Sequence, residues 1–134
     1  MAIPQHLQLV LVTPEKTLLD EPVDALRFPL YDGQFGVLPG RAPVVGRLGY
    51  GELKITSAAG ERSYYIDGGF VQIKGPVVSL LTDRAVPAEK IDAQEARGRL
   101  DAVRGRVATT DAEIAAKDRE QTRARQMLAV ARKG

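Results

Sequence analysis

Residues 83–96, DRAVPAEKIDAQEA, hold the point at which the chain changes its grammar. All 8 prolines lie at or before Pro87, and glycine is dense only up to Gly75, so chain-breaking residues are concentrated on one side of this run. N-terminal to it, short apolar stretches alternate with polar residues and are interrupted by turn formers, the period-two pattern of strands. C-terminal to it, Ala96, Leu100, Val103 and Val107 recur at spacings of four, three and four, one stripe of a helix. The chain therefore reads as a β domain over about residues 1–85, followed by a helical segment over residues 86–134.

Within the first part, residues 6–12 (HLQLVLV), 53–55 and 77–81 read as strands. Leu7, Leu9 and Leu11 share one side and Gln8 takes the other. Residues 10–12 are apolar on both faces, which places this strand under cover on each side or near a sheet junction. Turn signals at Asp32-Gly33, Pro39-Gly40, Ala59-Gly60, Asp67-Gly68-Gly69 and Gly75-Pro76 separate many short strands, as in a β-sandwich or barrel. Tyr64 and Tyr65 point to opposite faces of one strand, a core residue and its exposed neighbour.

In the second part, Asp92 precedes Glu95 by three residues and Thr110 precedes Glu113 by three, each the pattern of a capping box at a helix start. Two helices follow, the second over about residues 111–132 with Ile114, Ala124, Leu128 and Ala131 as its apolar face and Gln121 interrupting it. A short connection near residues 108–110 makes them an antiparallel hairpin. Gly98 and Gly105 fall inside the first helix, each costing roughly 1 kcal/mol relative to alanine. Lying seven apart on one face, they either admit a close-packed helix or are merely tolerated. Residues 117–123 are polar all round and the second helix has few large apolar anchors, so its docking should be weak enough to reverse.

A length of 134 residues suits one domain with an appendage, since domains commonly run to roughly 100 to 150 residues. A hydrophobic share of 44% is that of a globular chain, and no apolar run approaches the ~20 residues of a membrane span. Residues 1–11 carry neither a basic leader nor a small-residue cleavage site, so no secretory or transit peptide is expected. With no cysteine and one histidine, His6, there is no thiolate nucleophile, no cysteine metal site and no His-based metal cluster, and any triad would have to be built on that single imidazole. Asp20, Glu21 and Asp24 read as a soluble turn. Aromatic residues are 5% of the chain without interleaved basic residues, which argues against single-stranded nucleic acid as a partner. Residues 88–134 hold 11 Lys and Arg against 8 Asp and Glu, and eight of the eleven are arginines suited to carboxylate or phosphate. That basic tail is either a solvated helix face or a surface for an anionic partner.

One long segment carries a further reading. Asp32, Gly33, Gln34, Phe35, Gly36, Val37, Leu38, Pro39, Gly40, Arg41, Ala42 and Pro43 run consecutively, and the glycines and prolines make a rigid, sharply turning unit. By themselves they either shape a hairpin or let a partner approach the backbone closely. The segment resembles the G-x-x-G-[IV]-x-P-x-[HR]-A-P signature of the epsilon subunits of F-type ATP synthases. Residues 9–14 (LVLVTP), 49–55 (GYGELKI), 67–71 (DGGFV) and 91–96 (IDAQEA) are similar to that family in the same order, so the resemblance spans essentially the whole chain.

The resemblance implies a flattened ten-stranded β-sandwich followed by a two-helix hairpin, in a non-catalytic subunit of the central stalk. It implies that the subunit turns with the gamma subunit and the c-ring and couples proton translocation to ATP synthesis. The loop of Asp32, Gly33, Gln34, Phe35 and Gly36 would face the c-ring, with Gln34 offering a hydrogen bond where some relatives carry an acidic residue. Pro39, Gly40, Arg41, Ala42 and Pro43 form the signature turn. The hairpin would lie folded on the sandwich or extend toward the alpha and beta subunits and oppose ATP hydrolysis. Arg119, Arg123, Arg125 and Arg132 are then candidate contacts of the extended tail with the catalytic head. The implied location is peripheral, on the cytoplasmic face of a bacterial plasma membrane, or on a thylakoid or other energy-coupling membrane.

Some members of that family bind ATP through an I/L-D-x-x-R-A motif. Here Glu95 stands where the motif has arginine, and a carboxylate repels phosphate. Nucleotide binding is therefore not expected, Asp92 is read as an N-cap, and no cofactor or metal is expected. Residues 33–36 are too short for a phosphate loop and no G-K-[ST] follows. Two competing readings stand beside this one: a β-sandwich interaction module with a helical dimerisation tail, and, more distantly, an enzyme acting on carbohydrate or nucleotide.

Overall fold

A computed structural model describes residues 7–31, 33–37 and 44–133, of which 33–37, 44, 132 and 133 are described by their backbone alone. Strands β1 (Leu7–Val12), β2 (Thr17–Val23), β3 (Ala25–Leu30), β4 (Gly33–Val37), β5 (Val44–Ser57), β6 (Gly60–Lys74), β7 (Val77–Leu81) and β8 (Ala85–Pro87) come first. A single 3-10 turn at Ala88–Lys90 leads into helices α1 (Ala93–Arg104) and α2 (Asp111–Lys133). The sheet order is β2-β1-β7-β6-β5-β3-β4, with β8 added on β6. Among these pairings only β1 and β7 run parallel.

The alternation read in β1 is present: Leu7, Leu9 and Leu11 are buried, while Gln8, Val10 and Val12 are half-buried on the outer face. The inward row joins Val23, Leu26, Phe28, Leu48, Leu53, Ile55, Ile66, Val71, Ile73, Val78 and Leu80 in one core. Burial of apolar area at roughly 25 cal/mol per Å² makes this the main source of stability. At the rim, Arg62 of β6 pairs with Glu21 of β2 and ties one layer to the other.

Ten strands were expected and eight continuous ones are found, for a reason visible in β5 and β6. These strands of 14 and 15 residues pair along their whole length, from Val44 with Ile73 to Ser57 with Gly60. One half of β6 pairs with β7 and the other with β8, while β5 pairs with β3 chiefly near Lys54, Ile55 and Thr56. Each long strand thus serves both layers, and counting its halves separately gives the ten. The side-chain alternation changes phase at the crossing. In β6, Ile66 and then Val71 and Ile73 enter the core, and in β5 Leu48 and then Leu53 and Ile55 do so. A strict period of two cannot bring both sets to one side, so each strand must slip by one residue between them. The slip in β6 falls at Gly68 and Gly69, whose φ of +73° and +109° are closed to most side chains.

Both helix starts are capped as their sequences imply. Asp92 accepts from the amides of Gln94 (3.0 Å) and Glu95 (3.1 Å), and Thr110 Oγ1 accepts from the amide of Glu113 (3.1 Å). Helix α1 buries Ala96, Leu100 and Val103, but Val107 does not extend the stripe: it lies beyond the helix and is 79% exposed. The reason is Gly105, which caps the helix instead of lying within it and donates its N–H to Asp101 O. Helix α2 packs on the outer face of β5 and β6 through buried Val130 and half-buried Met127, and it also buries Ala124. Its apolar face is rotated from the expected one: Ile114 is 52% exposed, and Gln121, Leu128 and Ala131 are half-buried.

Gly98 is exposed and a Cβ there would meet no atom within 4 Å, so the glycine is tolerated and does not admit a close-packed helix. Gly98→Ala should stabilise α1 by about 1 kcal/mol. Slower amide exchange in residues 93–104 of the variant is the measurement that checks it.

Candidate interaction sites

The hairpin tip lies at one edge of the sheet. Strand β4 pairs with β3 from Leu26 with Val37 to Leu30 with Gly33, so Gly33, Gln34, Phe35 and Gly36 belong to an edge strand and not to an open loop. At its entrance, exposed Tyr31 takes Arg47 over its ring at 4.7 Å and donates its N–H to Arg47 O at 2.8 Å. Asp32, Pro39, Gly40, Arg41, Ala42 and Pro43 lie outside the described residues, as does His6.

The outer faces of the two layers differ. On one, Arg47 stands opposite Phe70, Phe70 opposite Leu81, and Leu81 beside Val12, one row across four strands. Phe70 is 61% exposed and Leu81 51%. The outer side of β1, expected to be covered or to lie near a sheet junction, holds half-buried Val10 and Val12. Phe70 lies in the segment DGGFV of residues 67–71, and its exposure follows from the slip at Gly69, which turns it outward.

The other outer face is covered by the hairpin. Tyr65, fully buried, meets Ala88, Ile91, Met127 and Val130, while Tyr64 is half-buried against the sandwich core. The expected exposed member of this pair is therefore absent, because β6 has packing on both sides. Burial pushes the Tyr65 phenol well above its ordinary range, and the carboxylate of Asp67 adds to that. Farther along the same face, Glu52 is almost buried, accepts from Ser63 Oγ at 2.7 Å and lies 3.6 Å from Arg27.

Between hairpin and sheet lies a cavity of about 360 Å³ bordered by Tyr65, Arg84, Arg99, Arg106, Glu120 and Arg123, among others. Three of these arginines already hold carboxylates. Arg99 binds Glu95 at 2.6 Å, Arg106 binds Glu120 at 2.8 Å and Arg123 binds Asp67 at 3.0 Å. Glu95 thus occupies one arginine, and Asp92 is engaged in capping α1. No group of His, Cys, Asp and Glu suited to a metal ion occurs among the described residues.

Of the tail arginines, Arg123 engages the sandwich through Asp67. Arg119 and Arg125 are exposed, and Arg132 belongs to α2 with its side chain outside the described residues. Among the described residues no helix is long and apolar enough to cross a membrane.

A family model described as ATP synthase, Delta/Epsilon chain, beta-sandwich domain matches residues 6–88. The chain belongs to the ATP synthase delta/epsilon chain family. It is 40% identical over 126 residues to the ATP synthase epsilon chain of Rhodopirellula baltica, an alignment covering 94% of this chain and 98% of that one. A chain in the cryo-EM structure of the Euglena gracilis mitochondrial ATP synthase, OSCP/F1/c-ring in rotational state 1, superposes with a TM-score of 0.87. It is 28% identical, with 96% of this chain and 83% of that one covered. A chain from the Tetrahymena thermophila mitochondrial ATP synthase central stalk and c-ring gives a TM-score of 0.71 at 16% identity, a likeness of fold alone. The resemblance read from the motifs is borne out, as is a sandwich followed by a helix hairpin. Epsilon chains are non-catalytic subunits of ATP synthase.

Proposed function

We propose that the chain is a rotor subunit of the central stalk that couples proton translocation through the c-ring to ATP synthesis by way of the gamma subunit. The observation that carries this reading is the similarity to an epsilon chain over nearly the whole length, sandwich and hairpin together. The hairpin covers one outer face of the sandwich, while the other presents the exposed row through Phe70 and Leu81. The strand edge at residues 33–36, with Asp32 at its start, is the part assigned to the c-ring. The docked hairpin is the resting form of a regulatory tail, which on extension meets the alpha and beta subunits through Arg119, Arg123, Arg125 and Arg132 and opposes ATP hydrolysis. The site of action is the cytoplasmic face of a bacterial plasma membrane, reached through the complex.

Removal of residues 88–134 tests the regulatory part. A complex assembled with residues 1–87 should hydrolyse ATP severalfold faster than one with the whole chain, while synthesis continues. Equal hydrolysis in the two complexes would leave the tail without an inhibitory role.

A further inference from the structure

The contact that fastens α2 to the sheet is small and mostly apolar at one end, and ionic at the other. Tyr65, Ala88 and Val130 form the apolar end. At the other end Asp67 and Tyr50 stand directly opposite each other on β6 and β5, both facing the hairpin. Arg123 donates from Nε to Asp67 Oδ1 at 3.0 Å, and its guanidinium carbon lies 4.9 Å from the centre of the Tyr50 ring. Burial disfavours the charge on Arg123, but the Asp67 carboxylate and the Tyr50 hydroxyl outweigh it and hold the guanidinium above its ordinary value.

The receptor for this side chain is preformed. The Asp67 amide lies within hydrogen-bonding distance of Arg84 O (3.1 Å) and Thr82 Oγ1 (3.2 Å), and Gly68 follows at the phase slip of β6. The carboxylate is therefore fixed by backbone that belongs to the sandwich, and the Asp67 side chain is only 17% exposed. Arg123 is 44% exposed, so the pair is open enough to water to feel salt.

We propose that Arg123, Asp67 and Tyr50 form an ionic latch that sets how firmly the hairpin is docked. While docked, Arg123 is held on the sandwich and withheld from any acidic surface that α2 would meet on release. Release and capture by a partner carboxylate are then alternatives for one guanidinium, and the docked population falls as salt rises. The consequence for ATP hydrolysis rests on the regulatory reading above; the latch itself does not.

Amide exchange of the whole purified chain tests the latch. Asp67→Asn and Arg123→Gln should each speed exchange in residues 111–133 roughly tenfold, from loss of a half-exposed ion pair together with a cation–π contact. The double variant should do little more than either single one, and Arg97→Gln, an equal charge change on α1, should do nothing. Raising salt from about 0.05 M to about 0.5 M should speed exchange in the parent chain and not in Asp67→Asn. Unchanged exchange in both single variants overturns the latch, and so does a double variant whose effect is the product of the two. Acceleration shared equally by β1 and β7 assigns the pair to general stability and likewise overturns it. In the assembled complex, Asp67→Asn frees the hairpin but keeps Arg123, so hydrolysis should fall, whereas Arg123→Gln should not lower it. Faster exchange with hydrolysis unchanged in both would remove the regulatory reading and leave the latch in place.

Discussion

Gly69→Ala is expected to unfold the sandwich or to weaken it by at least ~4 kcal/mol, the range reached only by severe packing or backbone conflicts. A Cβ at this position would lie 1.9 Å from Leu81 O and 2.8 Å from Thr82 Cα, both backbone atoms that no rotamer change removes. The φ of +109° adds a conformation that alanine avoids. Relief would require β6 and β7 to separate, and this pair sits in the middle of the sheet order. Gly75→Ala separates the two effects, because Gly75 has φ +59° but a Cβ there meets nothing within 4 Å. That variant should lose only about 1 to 2 kcal/mol. Chemical denaturation of the two variants measures the contrast, and equal midpoints would show that the close approach at Leu81 relaxes freely.

Tyr65→Ala is expected to remove about 3 to 5 kcal/mol, the cost of emptying a large aromatic site, but from a different part of the molecule. Tyr65 lies in the cluster under α2 and not in the sandwich core. The loss should therefore fall on docking. Amides of α2 should lose their protection while those of β1 and β7 keep theirs. Equal loss in all three would mean that the sandwich depends on its helical cover.

Much of this arrangement is legible in the sequence where a local rule governs it. The division near Pro87, the alternation of Leu7, Leu9 and Leu11, and the caps at Asp92 and Thr110 each follow from spacing within a few residues. Errors arise where one residue must be judged from distant ones. Val107 continues a helical period that Gly105 ends. Ile114 reads as an anchor, although buried Ala124, half-buried Met127 and buried Val130 are themselves spaced at three; which of two adjacent stripes faces the sheet is decided by Tyr65 and Ala88. Tyr65 and Tyr64 alternate as expected, but only the placement of α2 reveals that the outward one is covered. The ten strands that the resemblance implies correspond to eight continuous ones because β5 and β6 each serve both layers. At the candidate site, the arginine-rich tail was evident from composition, whereas the pairing of Arg123 with Asp67, 56 residues apart, required the folded chain.

The two long strands also bear on mechanics. Because β5 and β6 pass unbroken from the layer bearing Phe70 to the layer beneath the hairpin, a twist applied to one face reaches the other along covalent backbone. Two separate sheets would have to carry the same torque through side-chain contacts, which slide under load. With this shared spine the sandwich resists shear between its layers, a property suited to the rotor role proposed above.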